Sequence, residues 1–338
     1  MSRLSVCCKW ECHKLLTVRR GWVIVLAVIL LQLCIACFAK PAKQYTFDAQ
    51  LYAEYVKKYA GEYSAENAEA IHTEKQKAAE RMQPGDGVYT EEARNARLLA
   101  SMQHNALSAL EEKYSALAAC KDKHPVLTYD LELTDYLRKF GVNWASLLGL
   151  LFLLPMLMLG DAQCGMEQIL CPAQIGRRRL MAAKLAVAVL LSVSLTAVCA
   201  VLQYWVMAVR WNFGALDVPI QSITGFAPYR LNLSVRSGML MCALLRLPAA
   251  AAFALLVGAL SLLLRKTPAV ISAAVLLVGI GAFLSEAFPE LAACFLFAPL
   301  SGLNALRAAS ASDLLCMCGA LLLKAAALHF LALHIRGR

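Results

Sequence analysis

The chain has 338 residues, of which 60% are hydrophobic and only 17% charged, with a formal charge of +10. Soluble domains run at roughly one half apolar and about one quarter charged, so this balance excludes an ordinary water-soluble enzyme and points to a membrane protein. The charge also excludes a nucleic-acid binder by its placement. Residues 40–142 hold 14 basic and 16 acidic side chains, while the rest of the chain holds 19 basic and 7 acidic ones. Those 19 cluster at the ends of apolar runs, which is the positive-inside pattern and not a nucleic-acid footprint. The thirteen cysteines lie mostly in apolar runs or near the amino terminus, where they read as small apolar residues and not as a disulfide framework.

Residues 1–20 carry Trp10 and five basic residues, and read as a cytoplasmic interfacial helix. Residues 21–39 form an uncleaved first membrane span. Residues 40–142 read as a helical extracytoplasmic domain. A first helix over 44–60 ends at Gly61, and Ser64 caps a second. QPGDG at 83–87 makes a turn. Thr90, followed by Glu91 and Glu92, starts a helix reaching about Ala119, and Pro125 breaks the chain before a last segment ending near Phe140. Glu111, Glu112 and Lys113 read as a solvated face.

Residues 143–338 hold five further spans, predicted over Trp144–Leu159, Leu185–Val209, Leu247–Leu264, Pro268–Leu284 and Asp313–Ile335. The apolar stretch 290–303 is too short to cross and is interrupted by Pro299, so it reads as re-entrant. The fold class is therefore an all-α polytopic membrane protein with six transmembrane helices and both termini cytoplasmic. Thirteen basic residues fall on the inner segments, against Arg210, Arg230, Arg236 and Arg307 on the short outer ones.

The segment 161–184, DAQCGMEQILCPAQIGRRRLMAAK, joins the second and third spans. Its clustered Arg177, Arg178, Arg179 and Lys184 put it on the inner side. Asp161 and Glu167 stand in the same segment, where a carboxylate could pair with the arginines and stiffen the loop, or pair with an incoming subunit. Two cations fall within spans. Lys324 lies midway along the last span, where insertion costs roughly 2.5–3.5 kcal/mol and a wet cavity, a substrate or a backbone partner is required. Arg246, at the outer end of the fourth, reads as an interfacial anchor, with a translocation role as the alternative. The chain has no GxxxxGK[ST] phosphate loop, no HExxH and no GxSxG. Nothing in it assembles a nucleophile, base and metal for catalysis.

On these residues the chain resembles the permease subunits of type-2 ABC transporters, especially bacterial ones with a large outer domain between the first two spans. The resemblance is carried by ECHKLL and the basic residues after it, by the first span, and by the outer segment GEYSAENAEAIHTEKQ. It is carried further by the loop pattern Asp161, Gly165, Ile169–Leu170, Gly176–Arg177 and Lys184. Pro172 falls earlier than the proline or threonine often found there. The resemblance implies a multi-pass bacterial cell-membrane protein that works as a dimer with a second copy or a paralogue. It implies a pair of ABC ATPase subunits as partners, with ATP and Mg bound on them and no cofactor or catalytic site on this chain. Glu167–Arg179 would be the coupling helix seated on the ATPase. The cargo would be a peptide, an antimicrobial, a lipid or a drug. A membrane sensor or immunity protein that binds a ligand through its outer helical domain is the alternative reading.

Overall fold

The computed structural model describes residues 3–39, 45–83, 90–139, 143–165, 177–210, 216–227, 229–287 and 311–337. Eleven α-helices lie among them. The expected turn at 83–87 falls mostly outside the described residues, as do residues 166–176 of the 161–184 loop and the whole of 290–303.

The chain forms two compact units. One comprises Met1–Ala39, Phe140–Arg210 and Leu240–Arg338; the other comprises Lys40–Lys139 and Trp211–Met239. The second thus takes in Trp211–Met239, which sequence reasoning leaves with the membrane part.

In the first unit, α1 (Arg3–His13) runs into a π-helical stretch over Lys14–Val18, and α2 spans Gly21–Phe38. With α3 (Ala49–Lys58), α4 (Ala65–Met82), α5 (Glu91–Ala118) and α6 (Leu131–Lys139) assigned to the other unit, the first continues with α7 (Trp144–Gln163). It then has α8 (Arg177–Arg210), α9 (Val235–Leu264, its first residues belonging to the other unit), α10 (Thr267–Ala287) and α11 (Ala311–Gly337). Among the described residues, five helices are long and apolar enough to cross a membrane: Gly21–Phe38, Trp144–Gln163, Arg179–Arg210, Val235–Leu264 and Thr267–Leu284. A sixth apolar stretch, Leu315–Phe330, lies inside α11. This is the make-up of an all-α multi-pass membrane protein.

The helix α7 is the centre of this unit. Leu147, Leu150, Leu153, Leu154 and Leu157 are all buried, and α2, α8 and α10 pack around it. A helix apolar on all sides is stable only when neighbours or lipid cover it. At Gly149 a Cβ would overlap the Val28 side chain, so the missing side chain allows α2 to approach closely. Pro155 sits inside α7, and helix-breaking prolines are tolerated in spans where neighbours satisfy the freed backbone groups. The outward faces carry exposed apolar side chains such as Leu26 and Leu30 on α2, Leu190 and Trp205 on α8 and Phe283 on α10. Exposed apolar surface on this scale marks lipid or a partner.

In the second unit, α4 and α5 form an antiparallel hairpin, with α3 packed on α5. The stripe Ala100, Ala106, Leu107, Leu110, Tyr114 and Leu117 on α5 is buried at helical spacing. It meets Tyr52 and Val56 of α3 and Ile71 of α4. Asp48 caps α3, accepting from the Gln50 and Leu51 amides at 2.8 and 3.1 Å, and so shortens the expected 44–60 helix. Ser64 stands at the start of α4 as expected, but its hydroxyl makes no cap bond; instead its amide donates to the Tyr114 hydroxyl at 3.0 Å. Thr90 caps α5, accepting from the Ala93 amide at 3.3 Å. The unit is not wholly helical, because Gly61–Glu62 pairs antiparallel with Val126–Leu127.

Lys113 corrects the expectation of a solvated face. It lies in the buried stripe of α5, 2.7 Å from the Asp130 carboxylate, and donates to the Thr128 carbonyl at 2.6 Å. The charge of a lysine points it toward water, and only the tertiary structure shows that an acid waits for it on the buried face. Asp130 also accepts from the Thr224 amide at 2.6 Å, which fastens the Trp211–Met239 segment to the same unit. Lys123 donating to the Tyr229 carbonyl at 2.6 Å adds a second tie.

Removing one member of a buried ion pair strands the other, at a cost of roughly 3–5 kcal/mol. Lys113→Met should therefore lower hydrogen-exchange protection in α4 and α5, and Lys113→Met with Asp130→Asn should recover part of it. A pH effect comes from Glu111, which accepts from Lys75 at 2.6 Å and pairs with His72 at 2.7 Å. The bonds from Lys75 and then His72 hold its carboxyl below the usual range despite partial burial. Its contribution is present above the ordinary glutamate value of about 4.3 and is lost as pH falls through the lower folded value. Because the pair is about one third exposed, the effect is small. Glu111→Gln should flatten this acid-dependent loss of exchange protection in α4 and α5.

Candidate functional site

The charged groups nearest the 161–184 loop form one cluster inside the first unit. Asp161, in the last turn of α7, is 4% exposed and contacts three cations. Arg19 Nη2 lies 2.5 Å from Oδ1, Lys184 Nζ 2.6 Å from Oδ2, and Lys14 Nζ 3.3 Å from Oδ1. Lys14 also pairs with Glu11 at 3.0 Å, and Glu11 is itself buried. Two carboxylates thus face three cations. The cluster joins the amino-terminal helix, the end of α7 and the start of α8.

Local backbone geometry brings these groups together. Lys14 and Arg19 are five residues apart, which on an α-helix would splay them. The π-helical stretch closes an Arg19 amide to Lys14 carbonyl bond of 2.9 Å, and one wider turn sets both side chains toward Asp161. Arg20 then takes a left-handed conformation, φ 53°, which turns the chain into α2. A non-glycine residue there costs on the order of 1 kcal/mol and persists because its surroundings demand it. The corner leaves no room at the next position: a Cβ on Gly21 would lie 2.6 Å from the Leu15 carbonyl oxygen. Arg19 also donates to the Met156 carbonyl at 2.7 Å, so its guanidinium lies across the last turns of α7. A cation is favoured at that helix end. Gly160 makes this possible, since a Cβ there would overlap the guanidinium.

The sequence-derived site residues divide accordingly. Asp161 and Lys184 are brought together and buried, so they hold the two ends of the loop to each other. Gly165 has φ +70°, a conformation that suits glycine, in the turn that ends α7. Glu167 and Gly176 lie outside the described residues. Arg177, Arg178 and Arg179 form the first turn of α8, and Arg179 is exposed. Asp161 pairs with Lys14, Arg19 and Lys184. Lys14, Arg19 and Gly160 are the residues sequence reasoning missed as site members. For Lys14 and Arg19 the signal was present in their shared basic charge near the first span, but the five-residue spacing hid their common face. Lys324 is exposed on α11. Arg246 is buried and lines a small cavity together with Asn143, Ser146 and Thr196. No cluster of three or more His, Cys, Asp or Glu residues able to hold a metal occurs among the described residues.

The helix α8 has 34 residues and is therefore about 51 Å long, against a hydrocarbon core of about 30 Å. Its first turns continue a span without a break. Arg177–Arg179 are thus continuous with the span's own helix, which Lys184 links to Asp161 of α7 and, through it, to Lys14 and Arg19.

No family model matches the chain, and no curated protein and no solved structure matches it.

Asp161→Asn removes the charge that three cations share. We expect a loss of roughly 3–5 kcal/mol, read as a lower melting temperature of the purified protein in detergent. Lys184→Met should cost less, because Lys14 and Arg19 still neutralise Asp161. The two changes should be clearly non-additive in a double-mutant cycle.

Proposed function

We propose that this chain is the permease subunit of an ATP-driven ABC exporter of the bacterial cell membrane. In this reading the helices α2, α7, α8, α9, α10 and α11 make six spans, with both termini and the 161–184 loop in the cytoplasm. The unit built on α3–α6 lies outside. α1, with exposed Trp10 and Val6, rests on the inner surface as the interfacial helix. ATP and Mg are bound by a separate pair of ATPase subunits, and a second permease copy or a paralogue completes the path. The cargo is a peptide, an antimicrobial, a lipid or a drug.

The observation that carries the proposal is the Asp161 cluster. An ion pair between Asp161 and Lys184 closes the base of a loop that begins and ends on two spans, and Lys14 and Arg19 bind the amino-terminal helix to the same carboxylate. A loop anchored in this way moves with three helices as one body, which is what a push from an ATPase requires. A second support is electrostatic. Three consecutive arginines open α8 at the end where the helix dipole is positive. That placement is unfavourable for the isolated chain and favourable against an acidic groove on a partner. Coupling then means that the ATPase pair binds one arrangement of the spans better than the other.

Affinity purification of the full chain from its native membrane should recover an ATPase. Charge reversal at Arg177 or Glu167 should leave insertion and expression intact while lowering stimulated ATP hydrolysis and transport together by about tenfold or more. Recovery of no ATPase, or unchanged transport in a well-expressed Arg177→Glu variant, counts against the proposal and favours the sensor or immunity reading.

A further inference from the structure

Lys324 is exposed on α11, inside the apolar run Leu315–Phe330. The buried side chains of this helix, Met317, Leu321, Ala325 and His329, recur every fourth residue, and Leu321 and Ala325 join the apolar core built on α7. Lys324 stands beside that stripe, on a face it shares with Cys316, Ala320 and Ala327, all of them exposed. Steps of four, four and three residues put these side chains along one side of a helix.

This lysine cannot be left to lipid. Asp313 and Ile335, the ends of the predicted span, each lie eleven residues away, which on a helix is about 16 Å. Lysines near helix ends extend their ammonium to the headgroups, and a lysine at this depth has no such exit. A wet cavity is the other refuge for a cation, but its neighbours on this face are small or apolar, and ordered water needs several polar partners. What fits such a face is another helix. Small side chains let its backbone come close, and a polar group on it can reach the ammonium.

The same lysine excludes a second copy of this chain as that helix. Gly21–Phe38, Trp144–Gln163, Arg179–Arg210, Val235–Leu264 and Thr267–Leu284 contain one acid between them, Asp161, which is already buried against three cations. α11 adds only Asp313, in its first turn. The spans of a second copy thus bring no carboxylate to the depth of Lys324, and a symmetric pair meeting on this face sets ammonium against ammonium. We propose that the face of α11 bearing Cys316, Ala320, Lys324 and Ala327 docks a transmembrane helix of a different protein, one with an aspartate or glutamate in the middle of its span. That carboxylate pairs with Lys324. The inference rests on the reading of α11 as a span, and it makes the membrane partner of the proposed permease an unlike chain.

The test places a photo-crosslinking benzophenone side chain at Ala320 of the full chain in its native membrane and identifies the adduct by peptide mass spectrometry. The expected adduct is an unlike membrane protein, joined through an apolar run that contains Asp or Glu. Its yield should fall about tenfold or more in Lys324→Met and stay near that of the parent chain in Lys324→Arg, which keeps the charge. Lys324→Met takes a charge out of an apolar helix and should insert at least as well, so loss of the adduct is not loss of the protein. Leu315, two and a half turns away and on the opposite side of the helix, should give no such adduct. An adduct between two copies of this chain, an adduct with lipid alone, a partner run without an acid, an equal yield from Leu315, or a yield unchanged in Lys324→Met overturns the proposal. An impermeant maleimide, with its sites mapped by peptide, separates these failures from failure of the span. It should label Ser312→Cys on intact cells and His334→Cys only after lysis. Labelling of both from one side means that α11 does not cross, and the proposal falls together with the reading it rests on. Labelling from opposite sides without an acidic partner overturns the proposal alone.

Discussion

One carboxylate organises the membrane unit. Asp161 lies in the last turn of the most buried of the five candidate spans and is surrounded by Lys14, Arg19 and Lys184. A charge buried to this degree is tolerable only when it is paired and hydrogen-bonded, and the same holds for the cations. Each group is therefore the condition for burying the others. The consequence is geometric: the amino-terminal segment, the end of α7 and the start of α8 share one anchor. The left-handed Arg20, the absent side chains at Gly160 and Gly21, and the π-helical stretch are all concessions of the backbone to that meeting.

The second unit repeats the solution with different parts. Lys113 and Asp130 meet inside an otherwise apolar and aromatic core, and Asp130 reaches on to the Thr224 amide. In both units a buried ion pair joins segments far apart in sequence. Apolar packing alone specifies such junctions weakly, because leucine and alanine faces accept many registers. A lysine that has one acid within reach accepts only one. We see this as the reason for charge in two cores that could have been wholly apolar.

Much of the architecture was legible without coordinates. Apolar run lengths located the spans, and the starts of α2 and α7 agree with the expected boundaries. Thr90 announced α5. The boundaries that moved did so for identifiable reasons. α9 begins at Val235 and not near Leu247, because Arg246 and Pro248 are absorbed into a continuous helix. α8 begins at Arg177, so the arginines belong to the span's own helix and not only to a connecting loop. Charge made Arg177–Arg179 look like a separate segment, whereas helix propensity, which is high for arginine, let them extend the span.

By itself, the sequence determined the class of molecule: the length of the apolar runs, the basic residues at their ends, and a polar helical insertion between the first two. These follow from solvent preference, which is a property of each residue and its near neighbours. Tertiary structure alone decided which charge meets which. Lys14 and Arg19 reach Asp161 across about 140 residues, and Lys113 finds Asp130 only after the chain has turned back through a two-stranded ladder. No local pattern encodes such partners, because an ion pair depends on where two distant backbones come to rest. For the same reason Asp161 could be recognised in advance as important, but not as the anchor of the amino-terminal helix.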